Sequence, residues 1–461
     1  MLRTVELPLW LLLLILGFAG VTFASHFLFP SVRWFLRRRM ERAVARLNAR
    51  LARPIEPFKL ARRHDTIQRL VYDRDVLAAV ADHARTEGIP EEVAHELARR
   101  YAREIVPRFS ATAYFGIAIR AARACARLLY DVRIAHADDG LRKLSPEATV
   151  VFVMNHRSNL DYVLVTYLVA RRTALSYAVG EWARIWPLAP LIRAMGAYFI
   201  RRKAPDGLYR RVLARYVTMA TAAGVTQAVF PEGGLSLDGG LKPAKLGIVS
   251  YIVDGHRESG RDVVFVPVAL NYDRVLEDRV LTGAAARGER RFRASVPVMA
   301  RFSLRLAGRM LTGRFRKFGT AAVGFGAPLS LAAFADGKGE GLVEALGAEL
   351  MTRIAAVVPR LPVPVVAAEL LAAGAPLTPD DLASRIARRH GTAAGDAGVA
   401  AARGVATLAL RGIVAETATG SAAVPDHQDL LRYYAASIGH LRNAPAASPG
   451  GKDANSESVA T

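Results

Sequence analysis

The chain has 461 residues, of which 52% are hydrophobic, enough for a large core in one main domain with additions at both ends. Cys125 is the only cysteine, which excludes an intramolecular disulfide framework and suits a reducing compartment. A formal net charge of +22 points to phosphate as a partner, in nucleic acid or on anionic lipid, and composition does not choose between them.

Residues 7–29 form an almost wholly apolar run, long enough as a helix to cross the roughly 30 Å hydrocarbon core of a bilayer. The run exceeds the roughly 7–15-residue apolar core of a cleaved signal peptide. Arg33, Arg37, Arg38, Arg39 and Arg42 follow it, whereas only Arg3 precedes it. The positive-inside rule therefore predicts one transmembrane helix in the cell membrane, with the rest of the chain cytoplasmic. Leu36, Met40, Val44, Leu47 and Leu51 then recur at helical spacing with arginines between them. That pattern suits a basic helix lying on anionic headgroups, or equally a solvated helix face.

Residues 31–130 read as helical throughout, with Pro90-Glu91-Glu92 as one start signal. Between 131 and 335, short β-branched runs alternate with helical stretches. The predicted strands are 132–135, 149–154, 174–179, 197–200, 227–230, 263–269 and 321–325. This is the pattern of an α/β domain with a central mostly parallel or mixed sheet flanked by helices. Helix returns over 341–442, and the polar, apolar-poor tail 443–461 is predicted to be disordered.

One stretch carries chemistry. Asn155-His156-Arg157-Ser158-Asn159-Leu160-Asp161 sits between the run 148–154 and an apolar helical segment, the strand-to-helix crossing at which open α/β sheets bind ligands. On a continuous helix His156 and Asp161 would point about 140° apart. With His156 in a loop and the helix beginning near Ser158, the carboxylate reaches back to the ring. It then fixes the tautomer and leaves the second nitrogen free to take a proton. Ser158 to Asp161 is also a capping-box pattern, which accounts for the acid without chemistry.

Three further blocks have a strand edged by polar, glycine or proline residues. Gly196 to Arg202 places Arg201 and Arg202 at a strand end, where guanidinium groups suit phosphate or simply cap the strand. Phe230 to Ser236 contains Glu232, Gly233 and Gly234, the glycines permitting either close backbone approach to a ligand or an ordinary turn. Phe265 to Val268 is a buried strand carrying Pro267.

In this order, the four blocks resemble those of the glycerolipid acyltransferases, which share the histidine-four-residues-aspartate motif. The likeness is closer to the bacterial-type membrane-bound glycerol-3-phosphate acyltransferases, through Tyr162, Gly196 to Arg202, Pro243 to Gly247 and Phe325 to Pro328. The resemblance implies transfer of an acyl group from acyl-CoA or acyl-carrier protein to glycerol-3-phosphate in phospholipid biosynthesis, without metal or covalent intermediate. It makes His156 the general base, oriented by Asp161 and flanked by Arg157. Arg202, with Lys245 and Arg201, would hold the acceptor phosphate. Glu232, Gly233 and Gly234 would position the acceptor, and Pro267 belongs to the block associated with the acyl donor. Membrane lipids are the implied partners, and basic residues spread along the chain argue against nucleic acid.

The subgroup's third block carries an arginine after the glycines, where this chain has Leu235. A charge-assisted contact is worth about 1.5–3 kcal/mol, so nearby bases compensate or the acceptor differs. Lysophosphatidate is the alternative acceptor, and an inactive membrane lipid-binding homologue the alternative class.

Overall fold

The structure is a computed structural model and describes residues 8–51, 53–169, 173–180, 192–201, 206–289, 304–306, 308–313 and 315–442. The chain divides into two compact units, residues 1–55 with 171–173, and residues 56–170 with 174–461.

The first unit holds one continuous helix, Leu9–Asn48, where the sequence suggests a span and a separate amphipathic segment. Nothing interrupts its backbone at the basic flank. Leu9, Trp10, Leu13, Leu14, Leu16 and Phe18 are exposed on it. Among the described residues, no helix is long and apolar enough to cross a membrane. After the helix the backbone amide of Ile55 donates to Asn48 Oδ1 at 3.0 Å.

The second unit is built on a mixed sheet. Its strands are β1 (Asp131–Ala137), β2 (Thr149–Met154), β3 (Ser176–Gly180), β4 (Tyr198–Ile200), β5 (Gln227–Val229), β6 (Val263–Tyr272), β7 (Thr320–Phe325) and β8 (Leu329–Ser330). The order is β1-β7-β6-β2-β5-β3-β4, with β8 also paired to β6. Pairings β1/β7, β2/β6, β2/β5, β3/β5 and β3/β4 are parallel, while β6/β7 and β6/β8 are antiparallel. Of the two sheet types the sequence allows, the fold takes the mixed one. Every residue of β2 and β6 is buried, as continuous Val-rich runs covered on both faces should be. β6 runs to Tyr272, three residues past its predicted end, because its last turn of strand pairs with β7 through Tyr272 and Ala321.

Helices Asp161–Val169, Gly207–Ala222 and Gly247–Ser259 connect or flank the strands. The region 56–130 is helical in its regular elements, including a π-helical segment Thr112–Ala118. Beyond the sheet, the region read as wholly helical contains a correction, an antiparallel hairpin of β9 (Val414–Thr417) and β10 (Gly420–Ala423). Short and alanine-rich, these strands lack the β-branched run that marks the central ones. The tail 443–461, expected to be disordered, lies outside the described residues.

Candidate active site

β2 ends at Met154, and its parallel neighbour β5 ends at Val229, so both following loops open on the same sheet edge. Asn155 secures the first loop: its side chain donates to Leu270 O at 3.0 Å and accepts from Leu270 N at 2.8 Å. This amide extends the β2/β6 pairing by one residue and turns the chain out of the sheet.

His156 follows, its side chain only 3% exposed. Its Nδ1 lies 2.9 Å from Asp161 Oδ2, so the helix begins at Asp161 rather than Ser158 and the reach-back occurs. The same oxygen accepts from the amides of Arg157 at 2.7 Å and Ser158 at 3.0 Å. Tyr272 donates its hydroxyl to the other oxygen, Oδ1, at 2.6 Å. Three donors thus converge on Oδ2 and one on Oδ1. An acceptor so placed gives Nδ1 the proton and leaves Nε2 as the basic nitrogen. The Ser158 amide bond is also half of a capping box, so Asp161 serves the helix start and the imidazole together.

The ring is held on its faces as well. Phe230 lies 4.2 Å from it between centroids, and Tyr162 5.5 Å away edge-on. The His156 carbonyl accepts from Ser236 N at 3.0 Å, and its amide donates to Glu232 Oε1 at 3.2 Å. Glu232 Oε2 is buried with no hydrogen-bond partner among the described residues. Burial raises the Glu232 carboxyl to about 7, with the His156 amide, Arg157 and Lys242 opposing that rise.

A second carboxylate supports the loop from below. Glu277 accepts from Ser158 Oγ at 2.8 Å, Asn159 N at 3.2 Å and Asn159 Nδ2 at 3.0 Å. Burial pushes its carboxyl up, against those hydrogen bonds. The adjacent Asp278 meets Arg411 at 2.6 Å and the hydroxyl of Tyr434. The C-terminal helices thereby brace the segment that holds the motif loop.

A cavity of about 620 Å³ opens at this edge, lined by His156, Tyr162, Arg201, Arg210, Glu232, Gly233, Gly234, Leu235, Lys242 and Lys245 among others. Gly233 has φ +68°, and a Cβ there would lie 2.7 Å from Lys245 Cδ. Only glycine lets the lysine cross so close to the loop.

His156, Asp161, Arg201, Glu232, Gly233, Gly234 and Lys245 are thus brought together, although Asp161 stands behind the histidine rather than on the cavity wall. Arg201 comes with a partner: Glu104 accepts from its Nε at 2.8 Å and Nη2 at 2.7 Å. Arg202 lies outside the described residues. Two expectations are corrected. Arg157 is not on the cavity wall; its guanidinium is buried, donates to Gly239 O and stacks over Tyr433 at 5.3 Å. Gly239, at φ +86°, packs directly against the Tyr433 backbone, whose carbonyl a Cβ would strike. Pro267 also lies off the cavity, within β6 opposite Val153, where its carbonyl accepts from Gly326 N at 2.8 Å. Arg210 and Lys242 line the cavity and were not singled out from the sequence, being ordinary bases in an arginine-rich chain.

Residues 137–271, from the end of β1 almost to the end of β6, match the Acyltransferase family model. This is an acyltransferase-type domain, and the motif loop, the Glu232 loop and most of the cavity wall fall inside it. The chain is 29% identical over 286 residues to a glycerol-3-phosphate acyltransferase of Pseudomonas fluorescens (strain Pf0-1), covering 61% of this chain and 33% of that protein. It is 31% identical over 281 residues to the protein of that name from Ectopseudomonas mendocina (strain ymp), covering 60% of this chain and 33% of the relative. The chain therefore matches about a third of the length of these curated relatives. A crystal structure of the 1-acyl-sn-glycerophosphate (LPA) acyltransferase PlsC from Thermotoga maritima aligns with TM-score 0.31 and 18% identity, over 54% of this chain and 80% of that one. The chain is thus similar to acyltransferases of the glycerolipid type over about 60% of its length.

Proposed function

We propose that the protein transfers a fatty acyl group from acyl-CoA or an acyl-carrier protein to a hydroxyl of glycerol-3-phosphate. The observation that carries this reading is the buried His156–Asp161 pair, with Nδ1 at 2.9 Å from its carboxylate, on a cavity that also presents Arg210, Lys242 and Lys245. His156 Nε2 takes the hydroxyl proton as the oxygen attacks the thioester carbonyl. The tetrahedral adduct collapses, the carbon–sulfur bond breaks, and the thiolate takes the proton back from the imidazolium. Asp161, whose Oδ2 accepts from Nδ1, orients the ring and stabilises the transient imidazolium. The acceptor phosphate is assigned to the bases of the cavity wall, and Lys242 and Arg210 take the part that Leu235 cannot.

Leu235, buried on the cavity wall, favours a second acceptor, lysophosphatidate, whose chain an apolar wall accommodates. In the same reading the exposed apolar residues of helix Leu9–Asn48 support association with a membrane, and the arginines that follow residues 7–29 support a cytoplasmic location for the rest of the chain. An acceptor screen with one labelled acyl-CoA tests the choice. Glycerol-3-phosphate should give lysophosphatidate; formation of phosphatidate alone would assign the other acceptor, and no product from any phosphate acceptor would overturn the enzyme reading.

A further inference from the structure

A second cavity, of about 220 Å³, lies away from the catalytic one and is lined by Lys59, Arg62, Arg63 and Arg108 together with Phe58, Val106, Phe109, Ser176 and Tyr216 among others. It opens beside Ser176 at the amino end of β3, whereas the catalytic cavity uses Ala178 and Gly180 toward the carboxyl end. At about 3.3 Å per residue, Ser176 and Gly180 stand roughly 13 Å apart, so the two cavities face different ends of one strand. No carboxylate occurs among the residues described as lining it.

The site is built rather than a scatter of surface bases. Lys59 is buried in its floor, donating to Ala174 O at 2.8 Å and lying 4.6 Å from the centre of the Phe109 ring. Arg63 is fixed by the carbonyls that end helix Glu91–Ile105, its Nε donating to Val106 O at 3.0 Å and its Nη2 to Arg103 O. Arg62 and Arg108 are exposed at the rim, and among the described residues no acceptor engages either guanidinium. Burial lowers the Arg63 guanidinium from its usual value, and the neighbouring charges of Arg108, Arg193 and Arg103 lower it further. Like charges so gathered repel one another unless an anion sits among them.

We propose that this cavity binds a phosphate anion, carried on the headgroup of an anionic glycerophospholipid or free in solution, with Arg62, Arg63 and Arg108 as its donors. Guanidinium forks match phosphate oxygens, and Phe58, Val106 and Phe109 supply the apolar surface that the first carbon atoms of a lipid would cover. This binding is independent of the acyl-transfer reading.

The test is titration calorimetry of the full chain in a nonionic detergent, with dihexanoyl phosphatidylglycerol in one arm and inorganic phosphate in the other. The Arg62→Glu/Arg108→Glu variant is compared with Arg120→Glu/Arg388→Glu, which makes the same change of charge at exposed positions elsewhere. An Arg62→Gln/Arg108→Gln variant guards against misfolding caused by the introduced acids. Loss of one charge-assisted contact is worth about tenfold in affinity, so both pocket variants should bind at least that much more weakly while the control pair keeps wild-type affinity. That pattern in the phosphatidylglycerol arm alone identifies a lipid headgroup, and in the phosphate arm a free anion. Wild type binding neither probe, or equal losses in pocket and control variants, overturns the proposal.

Discussion

Tyr272 is the residue on which the geometry of the site adds most to the motif. Its hydroxyl gives Asp161 Oδ1 a bond of 2.6 Å inside a fully buried setting, and without it that oxygen has one donor fewer. Tyr272→Phe should lower kcat about tenfold with KM nearly unchanged, since one hydrogen bond to a charged group is worth about 1.5–3 kcal/mol; steady-state kinetics with glycerol-3-phosphate read this directly. Glu232 sets a pH dependence of stability. Its carboxyl is raised from 4.5 to about 7 by burial, so the folded chain holds a proton that the unfolded chain releases. Stability contributed by the protonated form is present below about 4.5, is lost as pH rises to about 7, and is then constant. Glu232→Gln should remove this slope, worth roughly 3 kcal/mol across the window, as measured by urea unfolding at pH 5 and pH 8. The His156–Asp161 pair was legible because five residues of chain confine it. Tyr272 and Glu277 were not, because they meet the motif loop from sequence separations of 111 and 119, which no local pattern encodes. Arg157 reads as a ligand from its place in the motif, yet the distant Gly239 carbonyl and the Tyr433 ring hold its guanidinium away from the cavity.

At the scale of elements, the helix Gln428–Ala436 acts on the site from outside the cavity. The Tyr434 hydroxyl joins Asp278, the Val275 amide at 3.1 Å and Arg411 Nη1 at 2.9 Å, and Asp278 neighbours the carboxylate that holds Ser158 and Asn159. Tyr434→Phe should therefore destabilise the fold by about 1–3 kcal/mol, the cost of leaving buried partners unsatisfied, as read from denaturant midpoints. The β-branched runs announced the central strands to within a few residues, because a strand covered on both faces must be continuously apolar. The hairpin β9–β10 carries no such signature, with Ala415, Ala422 and Ala423 among its eight paired residues, and its pairing depends on packing that composition does not reveal.

For the whole molecule, charge and apolar exposure make opposite statements about membrane association that one experiment separates. A net charge of +22 draws the chain to anionic vesicles by forces that salt screens within about 3 Å at 1 M. Apolar insertion by the exposed residues of helix Leu9–Asn48, as proposed above, would resist salt. Co-sedimentation with phosphatidylglycerol vesicles should persist at 1 M salt, and complete release would confine the association to electrostatics. The α/β class of the sheet was legible from alternating strand and helix signals, whereas its mixed direction was not, since β7 and β8 owe their antiparallel pairing to β6 and not to their own sequences. All of this converges on whether one imidazole drives acyl transfer. The direct measurement is the formation of lysophosphatidate from labelled glycerol-3-phosphate and acyl-CoA by the wild type and by His156→Ala. A general base supplies about 10²–10⁴-fold, so the variant should retain at most about a hundredth of the wild-type rate with its fold intact, and an undiminished rate would contradict the account.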